Sequence, residues 1–430
     1  MLDVLATIFW GLVVLIFLVV THELGHFVAA RSYGVRVTEF MIGLPGPNVG
    51  FEYKGTRFGV TCIPLGGYNR ITGMESGPED PNLEQVLAYV YRQGSSDVEH
   101  TAAALGISED DAEVALMILD GWGSINEPGR CNPTDKYAAP KTDEYELGEA
   151  REVEDPKALL DSERKQTYRG LSFPKRLVVL FAGPLMNIVI AFVILTGMFC
   201  IAGVSVASTT LSDVVEDGPA AEAGMQAGDT IVGVDGKETE DWDALSSAIA
   251  ELEVGQVVDV EYERDGERKT AEVTVGASED DEGSPYLGVY AGTETKHYSL
   301  AGGLQASWAY FVATVGAYVS LVNPATTAET VEQSTSVVGI AVMSKEAAEV
   351  GPVSLLYIVA VISLSLGIVN LLPVPPLDGG KIVIEIVQRI SGRDVPTKVI
   401  NAITVVAMAL LLILFIVLLR QDIVRFVLGG

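Results

Sequence analysis

Cysteine is nearly absent. Cys62, Cys131 and Cys200, three in 430 residues, stand far apart and odd in number, which argues against a disulfide framework and against a Cys-x-x-Cys pair. Each is expected to pack as a small hydrophobe. Basic residues are scarce as well: 28 Lys and Arg face 57 Asp and Glu, for a formal charge of −29. A field of that sign repels phosphate backbones and anionic surfaces, so no nucleic acid is expected as a partner. A Lys-poor acidic surface also suits a salt-adapted protein, so a halophilic source is expected. Histidine is rarer still, at four residues.

Against these shortages stands an apolar fraction of 49%. Acidity and apolarity are reconciled by segregation. Four apolar runs, Val4–Ala30, Leu177–Gly203, Val353–Leu372 and Val399–Leu419, are each long enough to span a bilayer. The first is too long for a cleaved signal peptide. Acids collect between the runs, with 22 Asp and Glu against 4 Lys and Arg from Ser212 to Gly283. Arg31, Arg36, Lys54, Arg57 and Arg70 follow the first run, Lys175 and Arg176 precede the second, and Lys381, Arg389, Arg393 and Lys398 join the last two. The positive-inside rule makes those segments cytoplasmic and puts the 212–298 region outside. The expected fold is an α-helical polytopic membrane protein of four transmembrane helices, at the cell membrane.

His22-Glu23-Leu24-Gly25-His26 lies inside the first run, which is otherwise free of charge. Ionisable groups in hydrocarbon are costly and mark function. Two His four residues apart share one helix face and can grip one Zn²⁺, with Glu23 beside it as a base. At about 1.5 Å per residue, His22 stands roughly 27 Å along the helix from Val4, near the far side of the hydrocarbon, where water has access.

The remaining chain divides by composition. Residues 1–76 hold the first span and Arg57–Tyr68, an alternating segment before a Gly-Gly turn that reads as a hairpin or edge strand. Residues 77–170 form a small acidic cytoplasmic insert, with helices expected at Asn82–Gln93, Val98–Leu105 and Glu109–Leu119 and a linker from Cys131 to Arg169. The helix-turn-helix-like order there is too acidic for phosphate contact. Residues 171–207 carry the second span, 298–350 an interfacial helix and connector, and 351–430 the last two spans. Leu300–Val322 has no charge, yet counting it as a span would put Asp378 across the membrane from His22. It is expected to lie at the outer interface or dip in, with Trp308, Tyr310 and Tyr318 at headgroup level. In 208–297, the run from Gly218 to Gly236, GPAAEAGMQAGDTIVGVDG, resembles a PDZ domain of the type found in proteases. That resemblance implies an inserted α/β domain with a groove for a peptide or chain terminus.

A zinc site needs a third ligand. Glu39 and Glu52 are candidates on spacing alone. Asp378 is the stronger one, because three Pro break the helix before it and Gly379-Gly380 remove steric bulk, so the backbone can hold a carboxylate at the membrane edge. HELGH, Phe181–Asn187 (FAGPLMN), FGVTCIPLGGY and Asn370–Gly380 (NLLPVPPLDGG) together resemble the site-2 protease family, zinc metalloproteases that cut membrane helices. The resemblance implies one Zn²⁺ held by His22, His26 and Asp378, with Glu23 as general base. It implies substrate-cleft roles for Asn187 and Asn370 and a substrate-facing loop at Gly66 and Gly67, with membrane proteins bearing a transmembrane helix as substrates. The insert at 79–166 has no counterpart in the resemblance. Competing readings are an inactive membrane-anchored PDZ receptor, which has no use for Glu23, and a metal transporter, which needs polar ligands in further spans.

Overall fold

Apolar length sets the frame of the molecule. The computed structural model describes residues 2–63, 66–74, 80–129, 132, 134–278, 283–320, 334–393 and 395–427. Among these, four helical segments are long and apolar enough to cross a membrane: Asp3–Ser32, Phe173–Ala202, Pro352–Asn370 and Thr397–Phe426. The chain folds as two compact units, one of residues 1–195 and 307–430 and one of residues 196–306.

In the first unit, α1 (Leu2–Ser32) leads into β1 (Val37–Ile42), β2 (Asn48–Tyr53), β3 (Thr56–Thr61) and β4 (Gly67–Ile71). The strands form one sheet in the order β2-β3-β1-β4. Lys54 and Gly55, both at positive φ, make the two-residue turn between β2 and β3. Of the membrane-associated hairpin or edge strand expected at Arg57–Tyr68, the hairpin is corrected, while β4 is an edge strand. β3 and β4 do not pair with each other but flank β1, β3 parallel to it and β4 antiparallel. Alternation marked both strands, but pairing with β1 is a long-range choice that no local pattern announces. Val49, Phe51 and Tyr53 present an exposed apolar face on β2. Cys62, just past β3, is exposed rather than packed, Cys200 is half-buried, and Cys131 lies outside the described residues.

The insert folds as α2 (Leu83–Gln93), α3 (Val98–Leu105) and α4 (Glu109–Gly121), with Asp97 and Ser108 as N-caps of the latter two. Leu83, Val86, Leu87, Leu116, Leu119 and Trp122 form its core. The stretch expected as linker holds a further helix, α5 (Pro156–Arg164). Asp155 caps it, accepting from the Lys157 and Ala158 amides, and Pro156 opens it. Leu160 on this helix joins the same core. Buried Glu163 pairs with Arg36 and accepts from Ser124 Oγ at 2.7 Å, which ties the insert to the chain just beyond α1. α6 (Phe173–Gly197) follows and contains Pro184.

The second unit contains β5 (Val204–Val214), β6 (Thr230–Val234), α7 (Trp242–Ala250), β7 (Val257–Arg264), β8 (Glu267–Thr274) and β9 (Val289–Lys296). The sheet order is β8-β7-β6-β5-β9. Asp265 and Gly266, at positive φ, form the tight turn between β7 and β8. Leu211, Ile231, Val234, Leu245, Val258, Val260 and Val273 fill the core.

α8 (Leu300–Ser320) is not among the four long apolar segments. Its Tyr310, Phe311, Val315 and Tyr318 pack with Ile188 and Phe192 of α6, so this part of the helix runs along a spanning helix. α9 (Val337–Val350), α10 (Pro352–Asn370), α11 (Asp378–Ser391) and α12 (Thr397–Asp422) complete the chain. α9 lies against α1, where a Cβ on Gly11 would come within 2.6 Å of Ala341 Cβ. Fully buried Asp422 caps α9 by accepting from the Ser336 and Gly339 amides at 2.6 and 3.1 Å.

One buried charge gives the second unit a pH dependence. Asp229 is 1% exposed and receives Arg264 Nε and Nη2, both at 2.7 Å, and the Gln226 amide at 2.8 Å. Burial raises its carboxyl, but the Arg264 hydrogen bonds, the Gln226 amide and the Arg264 charge together hold it below the ordinary carboxylate value. Its stabilising contribution is present above the unfolded value of about 3.9 and is lost as pH falls through the lower native value. Proteolytic susceptibility of residues 196–306 should rise as pH falls below about 4, and Asp229→Asn should flatten that dependence while lowering resistance at pH 7.

Candidate metal centre

Three donors converge where α1, α6 and α11 meet. His22 and His26 lie one turn apart on α1, and their rings meet edge to face with centroids 4.9 Å apart. Asp378 is the first residue of α11, so its carboxylate benefits from the helix N-terminus. His22 Nε2 and His26 Nε2 each stand 3.1 Å from Asp378 Oδ2, and 3.3 Å from each other. All three residues are buried, and among the described residues they are the one His/Cys/Asp/Glu group spaced to hold a metal ion.

Zinc fits this set. With bonds of about 2.0–2.1 Å, the ligands of a tetrahedral ion stand about 3.3 Å apart, close to the separations found here. Two imidazoles and one carboxylate with a free fourth position are the donor set of a hydrolytic zinc site.

Local sequence explains the close approach. Gly25 lies where a Cβ would meet the Ala182 carbonyl oxygen at 2.2 Å, and Gly183 where a Cβ would meet His26 Nε2 at 2.2 Å. Small residues on both helices thus let α1 and α6 approach closely at this point. Gly379 and Gly380 serve α11 in the same way: a Cβ there would strike the Leu371 and Leu372 carbonyls or Pro375 N at 2.3 Å. The Asp-Gly-Gly run therefore seats the start of α11 directly on the loop that precedes it.

Each donor has an outer partner. His26 Nδ1 is 2.8 Å from the Val179 carbonyl, His22 Nδ1 is 3.4 Å from the Asn187 amide, and Asp378 Oδ1 accepts from Lys381 Nζ at 3.3 Å. Burial raises the Asp378 carboxyl, but hydrogen bonds with the two His, together with the His26 and Lys381 charges, hold it well below the usual range. Further along α11, Glu385 pairs with Arg176 at 3.0 Å and accepts from Tyr168 Oη at 3.2 Å.

The other candidate residues are distributed unevenly. Glu23 interacts electrostatically with His22, His26, Asp378 and Lys381, and its main-chain carbonyl accepts from Asn69 of β4. Gly67 opens β4 beside it: a Cβ there would lie 3.5 Å from Glu23 Cγ. Gly66 has φ +93 and accepts from the Gly43 amide through its carbonyl, while Pro64 and Leu65 of the same loop lie outside the described residues. Asn370 ends α10 and makes no hydrogen bond to the three donors. Glu39, on β1 opposite Arg57 and Arg70, and exposed Glu52 on β2 are not part of the cluster. Sequence reasoning overlooked Lys381, Thr21, Asn69 and the Val179 carbonyl. Only Lys381 carried a signal, its i+3 spacing from Asp378.

Gly183→Ala should push His26 out of place and lower zinc content, while Gly197→Ala, with open space around its Cα, should leave it unchanged. Metal analysis of the two purified variants decides this.

Comparison with known proteins gives a match to Peptidase family M50 over residues 10–414. The chain is 29% identical over 434 residues to the zinc metalloprotease RasP of Shouchella clausii, covering 94% of this chain and 96% of that protein. It is 28% identical over 428 residues to the regulator of sigma-W protease RasP of Bacillus subtilis, covering 95% and 96%. Among solved structures, the PDZ domain of an SdrC-like protein from Listeria innocua matches 21% of this chain and 99% of its own at 25% identity, with a TM-score of 0.19. Because the family match runs through almost the whole sequence, the chain belongs to peptidase family M50.

Proposed function

We propose that this M50 metallopeptidase is a zinc-dependent endopeptidase that hydrolyses peptide bonds in the transmembrane segments of membrane proteins, with His22, His26 and Asp378 as ligands and Glu23 as general base. The observation that carries the reading is the buried three-donor cluster at the end of an apolar helix, with Glu23 one residue from a ligand. A zinc ion held there supplies Lewis acidity toward a carbonyl oxygen and toward water. Glu23 takes the proton from the attacking water and returns it to the leaving amine as the C–N bond breaks.

A helical substrate hides its peptide bonds, so it has to unwind before it is cut. β4 is the terminal strand of its sheet and starts against Glu23, which supports a role as the edge that pairs with the unwound segment. Gly66 and Gly67 leave the start of that edge without side chains. Asn370, at the break after α10, is a candidate for contact with the same segment. The basic residues around the site support a cytoplasmic active-site face, with residues 208–297 extracytoplasmic. The six-stranded sheet together with α7 supports a PDZ-like reading of that unit, and a peptide or chain terminus is its proposed ligand.

Two results test the assignment. Glu23→Gln should reduce cleavage of a transmembrane substrate in detergent or liposomes by at least about 10²-fold, the low end for loss of a general base. Its zinc content should stay near that of the wild type; unimpaired cleavage would assign the proton transfer elsewhere. Asp378→Ala should lose zinc and activity together, whereas Glu39→Ala and Glu52→Ala should keep both. Full zinc occupancy in Asp378→Ala would overturn the ligand set.

A further inference from the structure

Both histidines of the cluster lean on α6, but against different kinds of partner. Val179 offers His26 Nδ1 a carbonyl, which can only accept. That fixes the proton on Nδ1 and leaves the Nε2 lone pair facing the cluster. His22 Nδ1 faces instead the side-chain amide of Asn187, which has one donating and one accepting end.

Asn187 has no exposed surface and is held on three sides. The outer end of its amide lies 3.2 Å from Thr21 Oγ1, and its main-chain oxygen accepts from Ser363 Oγ at 2.9 Å. The Thr21 hydroxyl has one proton for three acceptors: the Phe17 and Leu18 carbonyls at 2.9 Å and, in the orientation shown, Asn187 Oδ1 at 3.2 Å. When one of the nearer carbonyls takes that proton, Oγ1 is available as an acceptor.

The amide stands with Nδ2 toward His22 and Oδ1 toward Thr21. That pairing suits the His22 tautomer protonated on Nε2, which cannot ligate through Nε2. A neutral imidazole that ligates through Nε2 carries its proton on Nδ1 and needs an acceptor there. Turning the amide by half a rotation about its last bond supplies one. Oδ1 then accepts from His22 Nδ1–H, and Nδ2 donates to Thr21 Oγ1. Every polar atom keeps a partner, and no net charge changes.

We propose that Asn187 is a positioning residue of the metal centre, whose amide turns over to fix the Nε2-ligating tautomer and the ring plane of His22. This assignment rests on the zinc reading of the site. It replaces the cleft role that the family resemblance implied for Asn187, because both ends of the amide are engaged and none of it is open to a substrate.

The test is zinc retention against a competing chelator, measured on purified, monodisperse protein without reference to turnover. Asn187→Ala should release zinc at about 10–100-fold lower chelator concentration, the usual effect of losing an outer-shell partner. Asn187→Asp, whose carboxylate accepts from Nδ1–H without turning, should retain zinc at least as well as the wild type. Thr21→Ala should weaken retention less than Asn187→Ala. If Asn187→Ala does not fold, the Asp variant decides alone: zinc loss in Asn187→Asp overturns the proposal, and retention supports it. Unchanged retention in a folded Asn187→Ala, with a raised KM, would overturn it in favour of a substrate contact. Failure of the zinc reading itself looks different, since the wild type would then retain no zinc.

Discussion

The metal centre depends on the contact between α1 and α6. Two glycines, Gly25 and Gly183, let the helices approach until a single added methyl would collide with backbone or with a ligand ring. At that separation the His26 ring reaches the Val179 carbonyl and His22 reaches Asn187. A wider spacing would leave the buried ring nitrogens without partners, and unpaired buried polar groups are costly. Hydrogen bonding and helix packing are therefore one constraint, met by the absence of side chains at two positions.

The third donor comes from a different element, and its placement follows the same logic. Gly379 and Gly380 let the first turn of α11 sit on the 371–375 backbone, which brings Asp378 Oδ2 to equal distances from both imidazoles. A buried carboxylate is tolerable only with compensating charge or donors. Lys381 supplies one donor to Oδ1 but is itself half in solvent. The remaining demand falls on Oδ2, where the two imidazoles stand, and a divalent cation there meets it most fully. Metal binding and the local fold of α11 are coupled through this single oxygen.

Much of this was legible in the sequence because its signals are local. HELGH gives a helical i, i+4 pair, and a charge-free run around it shows that the pair is buried. Asp378 carried its own punctuation, three prolines before and two glycines after. The four-stranded sheet was not legible in the same way, because β1 and β3 pair in parallel across 13 intervening residues and nothing in Val37–Ile42 names its partner. α5 was missed although Asp155-Pro156 is an N-cap followed by an N1 proline; the surrounding charge hid a helix whose buried residues are only Leu160 and Glu163. The role proposed for Asn187 was beyond sequence reasoning altogether. Which end of an amide faces which ring nitrogen is a matter of ångströms and tautomers, and no spacing encodes it.

The acidic insert gains a physical place from these contacts. Its last segment is not a free tether: the Gln166 carbonyl accepts from the Arg36 amide and from Thr72 Oγ1, and the Tyr168 amide donates to the Thr72 carbonyl. Tyr168 then reaches α11, where its hydroxyl and Arg176 hold Glu385. Glu385 lies seven residues beyond Asp378, two turns along the same helix face. The exit of the insert thus clamps the helix whose first residue is the third donor, and Glu163 clamps its other side to Arg36 at the end of α1. Lifting the insert from this seat would expose two ionic contacts and the apolar cluster of Val35, Ile71, Tyr168 and Ile382. The insert is part of the foundation of the site, because the elements it joins are the ones that carry His22, His26 and Asp378.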